Sequence, residues 1–181
     1  LLQTGIGAFH YSALIDPSGG MALHPSAVDA ATIMDISGGA ESWRAARDGS
    51  YRRSLKSHRR RVRKAEDDIG PRRFEFKSND RAVFEQLVGW KSEKFIETGK
   101  YDVLSAGWTL ELLERLWTGT EDLRCDMQAL YFGDRLAAID LGLCDGPTFH
   151  SWIVAYDSNL HSYAPGIQLL EGLIDNAADL G

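Results

Sequence analysis

The stretch that most constrains the fold is residues 148–173, TFHSWIVAYDSNLHSYAPGIQLLEGL. It opens with an aromatic and β-branched run, which predicts a buried strand. Turn-forming residues follow, and Pro165 suits the first turn of a helix whose apolar residues recur at helical spacing. A strand, a small-residue loop and a helix can present backbone N–H groups to a phosphate. An ordinary connection that binds nothing has the same pattern, so both interpretations stay open.

Two more strand-like runs precede this stretch, at residues 124–132 and 135–144. Gly133-Asp134 joins the first run to the second, and Asp145-Gly146-Pro147 joins the second to the run at 148–156. Both connections are typical of hairpin turns. The sequence therefore predicts an antiparallel meander of three strands.

Helical patterns dominate the chain before the meander. Asp80 and Thr109 are expected to cap two of the helices. A short alternating run at residues 73–77 predicts one more strand, and the apolar runs at 8–15 and 31–36 are two further strand candidates. The predicted helices span residues 40–69, 80–96 and 108–117. The fold class is thus α/β (α+β), with a mostly antiparallel sheet flanked by helices.

Charge is unevenly distributed along the chain. The net charge is −6, yet residues 52–64 carry eight Lys or Arg and no acid. This asymmetry indicates a surface that contacts an anion, although a solvated helix face has the same composition. Nucleic acid is disfavoured, because the chain as a whole is acidic and carries no known nucleic-acid-binding motif. The predicted anion-binding residues are Arg59, Arg60, Arg63 and Lys64.

Cysteine and histidine usage limits the remaining chemistry. The two cysteines, Cys125 and Cys144, lie in apolar runs, which predicts buried, reduced thiols and a cytoplasmic protein. No residues stand at metal-ligand spacing, so we predict no metal, and no apolar run is long enough to span a membrane. Residues 1–40 are expected to be the preceding segment of a larger protein, with the functional domain at 41–181.

Asp140 and His150 are the polar residues of interest in the meander. A carboxylate in the middle of an apolar strand is costly unless it is paired or faces a cleft. Asp140 is therefore expected to face a cleft or to meet a basic partner, for example from the helix that carries the basic run at residues 52–64, here called the arginine helix. His150 alternates with Trp152 and Tyr156 along the next strand. An internal salt bridge for Asp140 and a core position for His150 are the structural alternatives.

Several motifs in order resemble one known family. They are the basic run SHRRRVRK at residues 57–64, Trp90-Lys91 before Thr98-Gly99, and Tyr156-Asp157 before the loop SYAPG at 162–166. Together they resemble the GNAT-superfamily acetyltransferase-like domain of CelD-type cellulose-biosynthesis proteins, which is related to FemAB transferases. The resemblance covers residues 45–181. It implies a GNAT-like acyl-CoA N-acyltransferase fold whose last strands lie beyond this chain.

The resemblance also implies roles for individual residues. Acetyl-CoA, or another acyl-CoA, would be the co-substrate, with Asp140 or His150 as the base; Asp157 is a further candidate base. Tyr156, or alternatively Tyr163, would be an acid toward the leaving thiolate. Pro165 removes one N–H donor from the phosphate loop. The implied cofactor-binding residues are Ser151, Ile153, Tyr163, Ala164, Gly166, Ile167 and Gln168.

Three functions follow from this resemblance. The first is acyl transfer from acyl-CoA to an amine, either a small molecule or a glycan precursor, in exopolysaccharide or cell-envelope biosynthesis. The second is a FemAB-like aminoacyl-tRNA-dependent transfer, in which the arginine helix would contact tRNA. The third is a non-catalytic GNAT-like scaffold in polysaccharide synthesis.

Overall fold

The computed structural model of the chain describes residues 33–119 and 124–177. Two units divide the chain, Leu1–Asp35 and Ile36–Gly181, and every element below belongs to the second. The strand predicted at residues 8–15 lies outside the described residues. Of the strand predicted at residues 31–36, the described part, 33–36, has no regular structure.

Within residues 33–119, four α-helices, a 3-10 helix and one short strand precede the meander. The helix predicted at residues 40–69 is two helices, because the Asp48 side chain accepts a hydrogen bond from the Tyr51 N–H (2.9 Å) and starts a new one. The prediction that Thr109 caps a helix is wrong, since that helix begins at Gly107 after the extended residue Ala106. The elements are α1 (Ala40–Ala45), α2 (Gly49–Asp68), β1 (Arg72–Glu75), α3 (Arg81–Glu97), a 3-10 helix (Val103–Ser105) and α4 (Gly107–Thr118). No helix within residues 33–119 or 124–177 has the length and apolarity to cross a membrane.

The predicted meander is confirmed almost to the residue. It consists of β2 (Arg124–Phe132), β3 (Arg135–Asp145) and β4 (Thr148–Tyr156). A 3-10 helix (Ser158–Tyr163) and α5 (Pro165–Asp175) follow, with Pro165 in the first turn as predicted. The sheet has the order β1-β2-β3-β4 with every pair antiparallel, which confirms the predicted α+β class.

Helices cover both faces of the sheet. On one face, Phe84 of α3 and Trp117 of α4 stack with their ring centroids 4.7 Å apart, in a core that includes Met127 and Ile139. On the other face, Ala65 of α2 joins a second core whose further members are Leu130, Phe132, Ala137, Ala138, Leu160 and Leu169. Because α5 contributes Leu169 to this core, the helix that follows β4 is held against the sheet.

The prediction that residues 148–156 form a buried strand is wrong. Within the described sheet β4 is an edge strand, and only Ile153 and Ala155 are buried. These two residues face the core under α3 and α4. The aromatic residues Trp152 and Tyr156 are exposed by 46% and 43%. An edge strand presents unpaired backbone groups, so β4 offers a surface to which an extended ligand can bind.

The prediction of buried cysteines is confirmed for Cys125 and not for Cys144. Cys125 is buried and Cys144 half-buried, and both thiols are free. Burial raises the pKa of the Cys125 thiol to about 11. A thiol that stays protonated at neutral pH is a poor nucleophile, so Cys125 acts as a small apolar residue of the core.

Candidate active site

An irregularity in the pairing of β3 with β4 shapes the centre of the site. Leu141 pairs with Ile153 and Gly142 with Ser151, so Trp152 is an extra residue on β4. Such a bulge bends the strand and redirects its side chains. A Cβ at Gly142 would lie 2.2 Å from Phe149 Cζ and 2.7 Å from the His150 carbonyl oxygen, which is why a glycine stands opposite the bulge.

Asp140 is a buried carboxylate beside this bulge. Its Oδ2 accepts a hydrogen bond of 2.6 Å from the Ser151 hydroxyl. Its Oδ1 has no hydrogen-bond partner of good geometry among the described residues. Burial raises the pKa of Asp140 to about 6, against the opposing effects of Ser151, the Trp152 N–H and the Lys91 ammonium group. A carboxylate with this pKa is ionised at neutral pH and suited to accept a proton.

The cation near Asp140 comes from α3. The Lys91 ammonium group donates to the Val154 carbonyl oxygen on the outer side of β4, at 3.2 Å. Burial and the nearby Lys100 lower the pKa of Lys91, while Asp140 opposes this shift. The arginine helix, which we considered as the source of the basic partner, forms no ion pair with Asp140 in residues 33–119 and 124–177.

Ser151 connects the buried carboxylate to the surface. Asp140 is 3% exposed, whereas Ser151 is an exposed residue of the edge strand. Because the Ser151 hydroxyl donates to Asp140 and the residue is exposed, this hydroxyl can relay a proton from a molecule bound along β4. The pair thus provides a base that is shielded from water but accessible through one hydroxyl group.

The start of α5 carries free backbone donors. Ala164, in the left-handed conformation (φ 54°, ψ 55°), precedes the helix and provides no side-chain cap. The first intrahelical bond runs from the Gln168 N–H to the Ala164 carbonyl oxygen, at 3.2 Å. In the described residues no acceptor meets the N–H groups of Gly166 and Ile167. Although Pro165 has no N–H, two donors therefore remain where the helix dipole favours an anion.

Side chains of the predicted phosphate loop stabilise the loop itself. The Gln168 amide donates to the Tyr163 carbonyl oxygen at 2.7 Å, and the Tyr163 hydroxyl donates to Asp68 of α2 at 2.7 Å. Ile153, another predicted cofactor-binding residue, has its side chain in the core. A bound cofactor would therefore meet the backbone of this region more than its side chains.

The structure separates the other predicted catalytic residues. His150 is exposed, pairs with Leu143 in the ladder, and makes no side-chain hydrogen bond to the described residues. Tyr156 lies at the end of β4, close to the start of α5, because a Cβ at Gly166 would be 3.8 Å from its ring. Of the predicted catalytic residues, Asp140 lies on β3 and Tyr156 on the neighbouring strand β4. Asp140 is hydrogen-bonded to Ser151, which also lies on β4.

Asp157 has a structural role. Arg135 donates to its carboxylate at 2.6 Å, and the carboxylate also accepts from the Asn159 N–H at the start of the 3-10 helix. Burial would raise the pKa of Asp157, but the hydrogen bonds from Arg135 and Asn159 outweigh it and the pKa lies below its usual value. A carboxylate held ionised in this way is a weak base, so our interpretation of Asp157 as a candidate base finds no support.

The four predicted anion-binding residues fall in different places. Arg59 and Arg63 line a groove between α2 and α5. Lys64 lies over the Tyr163 ring, with its Nζ 5.8 Å from the centroid. Arg60 is exposed and does not line the groove.

Sequence reasoning left Lys91 and the role of Ser151 out of the catalytic set. The available signal for Lys91 was its position on the apolar side of α3, in step with Leu87 and Phe95. A lysine at such a position needs a polar partner at the edge of the core. No comparable signal existed for Ser151, since its contact with Asp140 depends on the bulge at Trp152.

Comparison with known proteins identifies the family of the chain. A family profile described as "Acetyltransferase (GNAT) domain" matches residues 50–181, which is well over half of the chain. The chain belongs to this family, whose members are acyl-transfer domains that generally use acyl-CoA. No curated protein and no solved structure matches it significantly. The matched residues include the meander, the buried Asp140 and α5.

Proposed function

We propose that this domain transfers an acyl group, acetyl in the first instance, from acyl-CoA to an amine. The observation that carries this proposal is the buried Asp140 carboxylate, with a pKa of about 6 and a link to the surface through Ser151. An acceptor amine is protonated at neutral pH and must lose a proton before it attacks a thioester. A base with this pKa is matched to that task.

The proposed reaction places the proton on named atoms. The acceptor ammonium group loses a proton to Ser151 Oγ, and the Ser151 hydroxyl proton passes to Asp140 Oδ2. The free amine then attacks the thioester carbonyl, so that an N–C bond forms and the C–S bond breaks. The nitrogen still carries one proton too many after this attack. Tyr156, the predicted acid, gives its proton to the departing thiolate of the coenzyme and is reprotonated by the one that the nitrogen loses, while Asp140 releases its proton to solvent. No covalent enzyme intermediate is needed.

The coenzyme is proposed to bind along β4 and the start of α5. The free N–H groups of Gly166 and Ile167 are suited to the pyrophosphate. The outer edge of β4 has backbone groups available for the amide-containing pantetheine chain. This placement brings the thioester end toward Ser151, which lies on the same strand. The resemblance to CelD-type proteins supports an amine of exopolysaccharide or envelope biosynthesis as the acceptor.

Calorimetric titration with acetyl-CoA tests the coenzyme site. The Gly166→Trp variant is expected to bind acetyl-CoA at least about 10-fold more weakly, since a bulky side chain would cover the free amides. Gly166→Ala is the matched control, because a Cβ at this position makes only an ordinary contact of 3.8 Å with Tyr156. That variant is expected to bind as the native protein does. Undetectable binding by the native protein, or equal binding by Gly166→Trp, would contradict the proposal.

A further inference from the structure

A groove of about 350 Å³ lies between α2 and α5. Neither Asp140 nor Ser151 lines it. Its volume is within the range of sites that bind small molecules. One wall is the helix that carries the arginine run, and the other is the side of α5 formed by Gln168, Glu171 and Asp175. The groove is therefore a concave site on one side of the arginine run, and its Arg59 and Arg63 are exposed residues.

The groove has an excess of positive charge. Four arginines and two carboxylates line it, which leaves two positive charges in excess. Both carboxylates, Glu171 and Asp175, are paired with Arg44, at 2.7 Å for Glu171. The other three arginines, Arg59, Arg63 and Arg72, have no carboxylate within ion-pair distance in the described part of the chain. Three unpaired guanidinium groups in a net acidic protein indicate that an anion belongs here.

The inner wall of the groove has unsatisfied polar atoms. Gln168 is 1% exposed, and its amide nitrogen donates to the Tyr163 carbonyl oxygen, which directs Oε1 elsewhere. Neither Gln168 Oε1 nor His58 Nδ1 has a hydrogen-bond partner in the described residues. Both atoms are closed to solvent, so a ligand reaches them only after a small side-chain rotation. An oxygen that lacks a donor favours a ligand that carries hydroxyl groups.

We propose that this groove binds the phosphoryl group of a small, hydroxyl-bearing phosphorylated molecule. Guanidinium groups bind phosphate through paired N–H donors, and two excess positive charges match a phosphate dianion. The concave shape and a volume of about 350 Å³ favour a small ligand over a polyanion that would lie along the whole of α2. Two sources share this chemistry: a separate phosphorylated metabolite, and a phosphate of the coenzyme itself.

The test is calorimetric titration of the full chain with α-D-glucose 1-phosphate, alongside inorganic phosphate. The Arg59→Ala/Arg63→Ala double variant is expected to bind glucose 1-phosphate at least about 10-fold more weakly than the native chain. Arg52→Ala/Arg60→Ala removes the same charge from the same helix outside the groove, and is expected to change the affinity by less than about 2-fold. Glucose 1-phosphate is expected to bind more tightly than inorganic phosphate, because its hydroxyl groups add hydrogen bonds.

A second titration identifies the source of the phosphoryl group. Glucose 1-phosphate binding that persists at saturating acetyl-CoA indicates a separate metabolite. Competition between the two, with acetyl-CoA binding also weakened in the Arg59/Arg63 variant, assigns the groove to a coenzyme phosphate. An equal loss in both double variants would mean that α2 attracts anions without a defined site, as a nucleic-acid-binding helix does. That result, or no binding of either probe, overturns the proposal. Both outcomes are independent of whether Asp140 catalyses acyl transfer.

Discussion

Replacement of Asp140 by Asn is expected to lower kcat/KM for acyl transfer by about 10²-fold or more, the usual loss when a general base is removed. Asn keeps the shape and can accept the Ser151 hydrogen bond, but it cannot take up a proton. The measurement is CoA thiol release from acetyl-CoA, with the best acceptor from a panel of amino sugars and amino acids. An enzyme-only blank corrects for Cys125 and Cys144.

The pH profile separates a base from a structural carboxylate. With a pKa of about 6 for Asp140, kcat/KM of the native protein is expected to rise with pH through about 6 and then level off. The Asn variant is expected to lack this rise. Asp145→Asn, at the exposed end of the same strand, is the matched control and should keep both the rate and the profile. A native profile without a change near pH 6 would contradict the assignment.

The Asp140→Asn variant, although it is expected to lose activity, is not expected to lose thermal stability. The folded-state pKa of Asp140 lies above its usual value of 3.8, so the folded protein binds a proton more tightly than the unfolded chain does. This contribution to the free energy of unfolding is present at low pH and is lost as the pH rises through about 6. At pH 8 the buried charge is therefore destabilising, and Asp140→Asn is expected to keep or raise Tm. Lost activity with a lower Tm would instead make Asp140 a structural residue.

The order and limits of the strands were predictable because local signals specify them. Gly133 and Gly146 both adopt positive φ in the hairpin turns. The strands that these turns join are either continuously apolar or alternate between apolar and polar residues. Turn residues of this kind act over two or three positions, so they can be recognised without knowledge of the tertiary structure. The Pro165 start of α5 is a signal of the same local kind.

The exposure of β4 and the assembly of the site were not predictable in this way. An apolar run predicts burial, but a strand is buried on both edges only if the sheet provides another strand beside it. The bulge at Trp152 depends on the space left at Gly142, which belongs to the neighbouring strand. Because Lys91 reaches β4 from α3, its proximity to Asp140 is a tertiary contact. Sequence reasoning could name Asp140 but not its neighbours.

Substitution of Gly172 by Ala is expected to destabilise the protein by about 2 kcal/mol, through overpacking against β1. A Cβ at Gly172 of α5 would lie 2.2 Å from Phe74 Cε1 and 2.4 Å from Cζ. The half-buried Phe74 ring would have to shift, away from its stack on Phe76 (centroids 5.7 Å apart) and from the Arg72 guanidinium group at 5.1 Å. For a domain of this size the loss corresponds to a fall in Tm of about 4–8 °C, measurable by calorimetry.

A double-mutant cycle with Phe74→Leu distinguishes this clash from a general effect on the helix. Ala has a helix propensity about 1 kcal/mol better than Gly, so Gly172→Ala should stabilise α5 wherever it causes no clash. In the Phe74→Leu background the ring is gone, and the substitution is expected to be neutral or stabilising. The coupling between the two positions should therefore be favourable and on the order of 1–3 kcal/mol. Additive effects, or a stabilising Gly172→Ala in the native background, would show that α5 does not require close approach to β1.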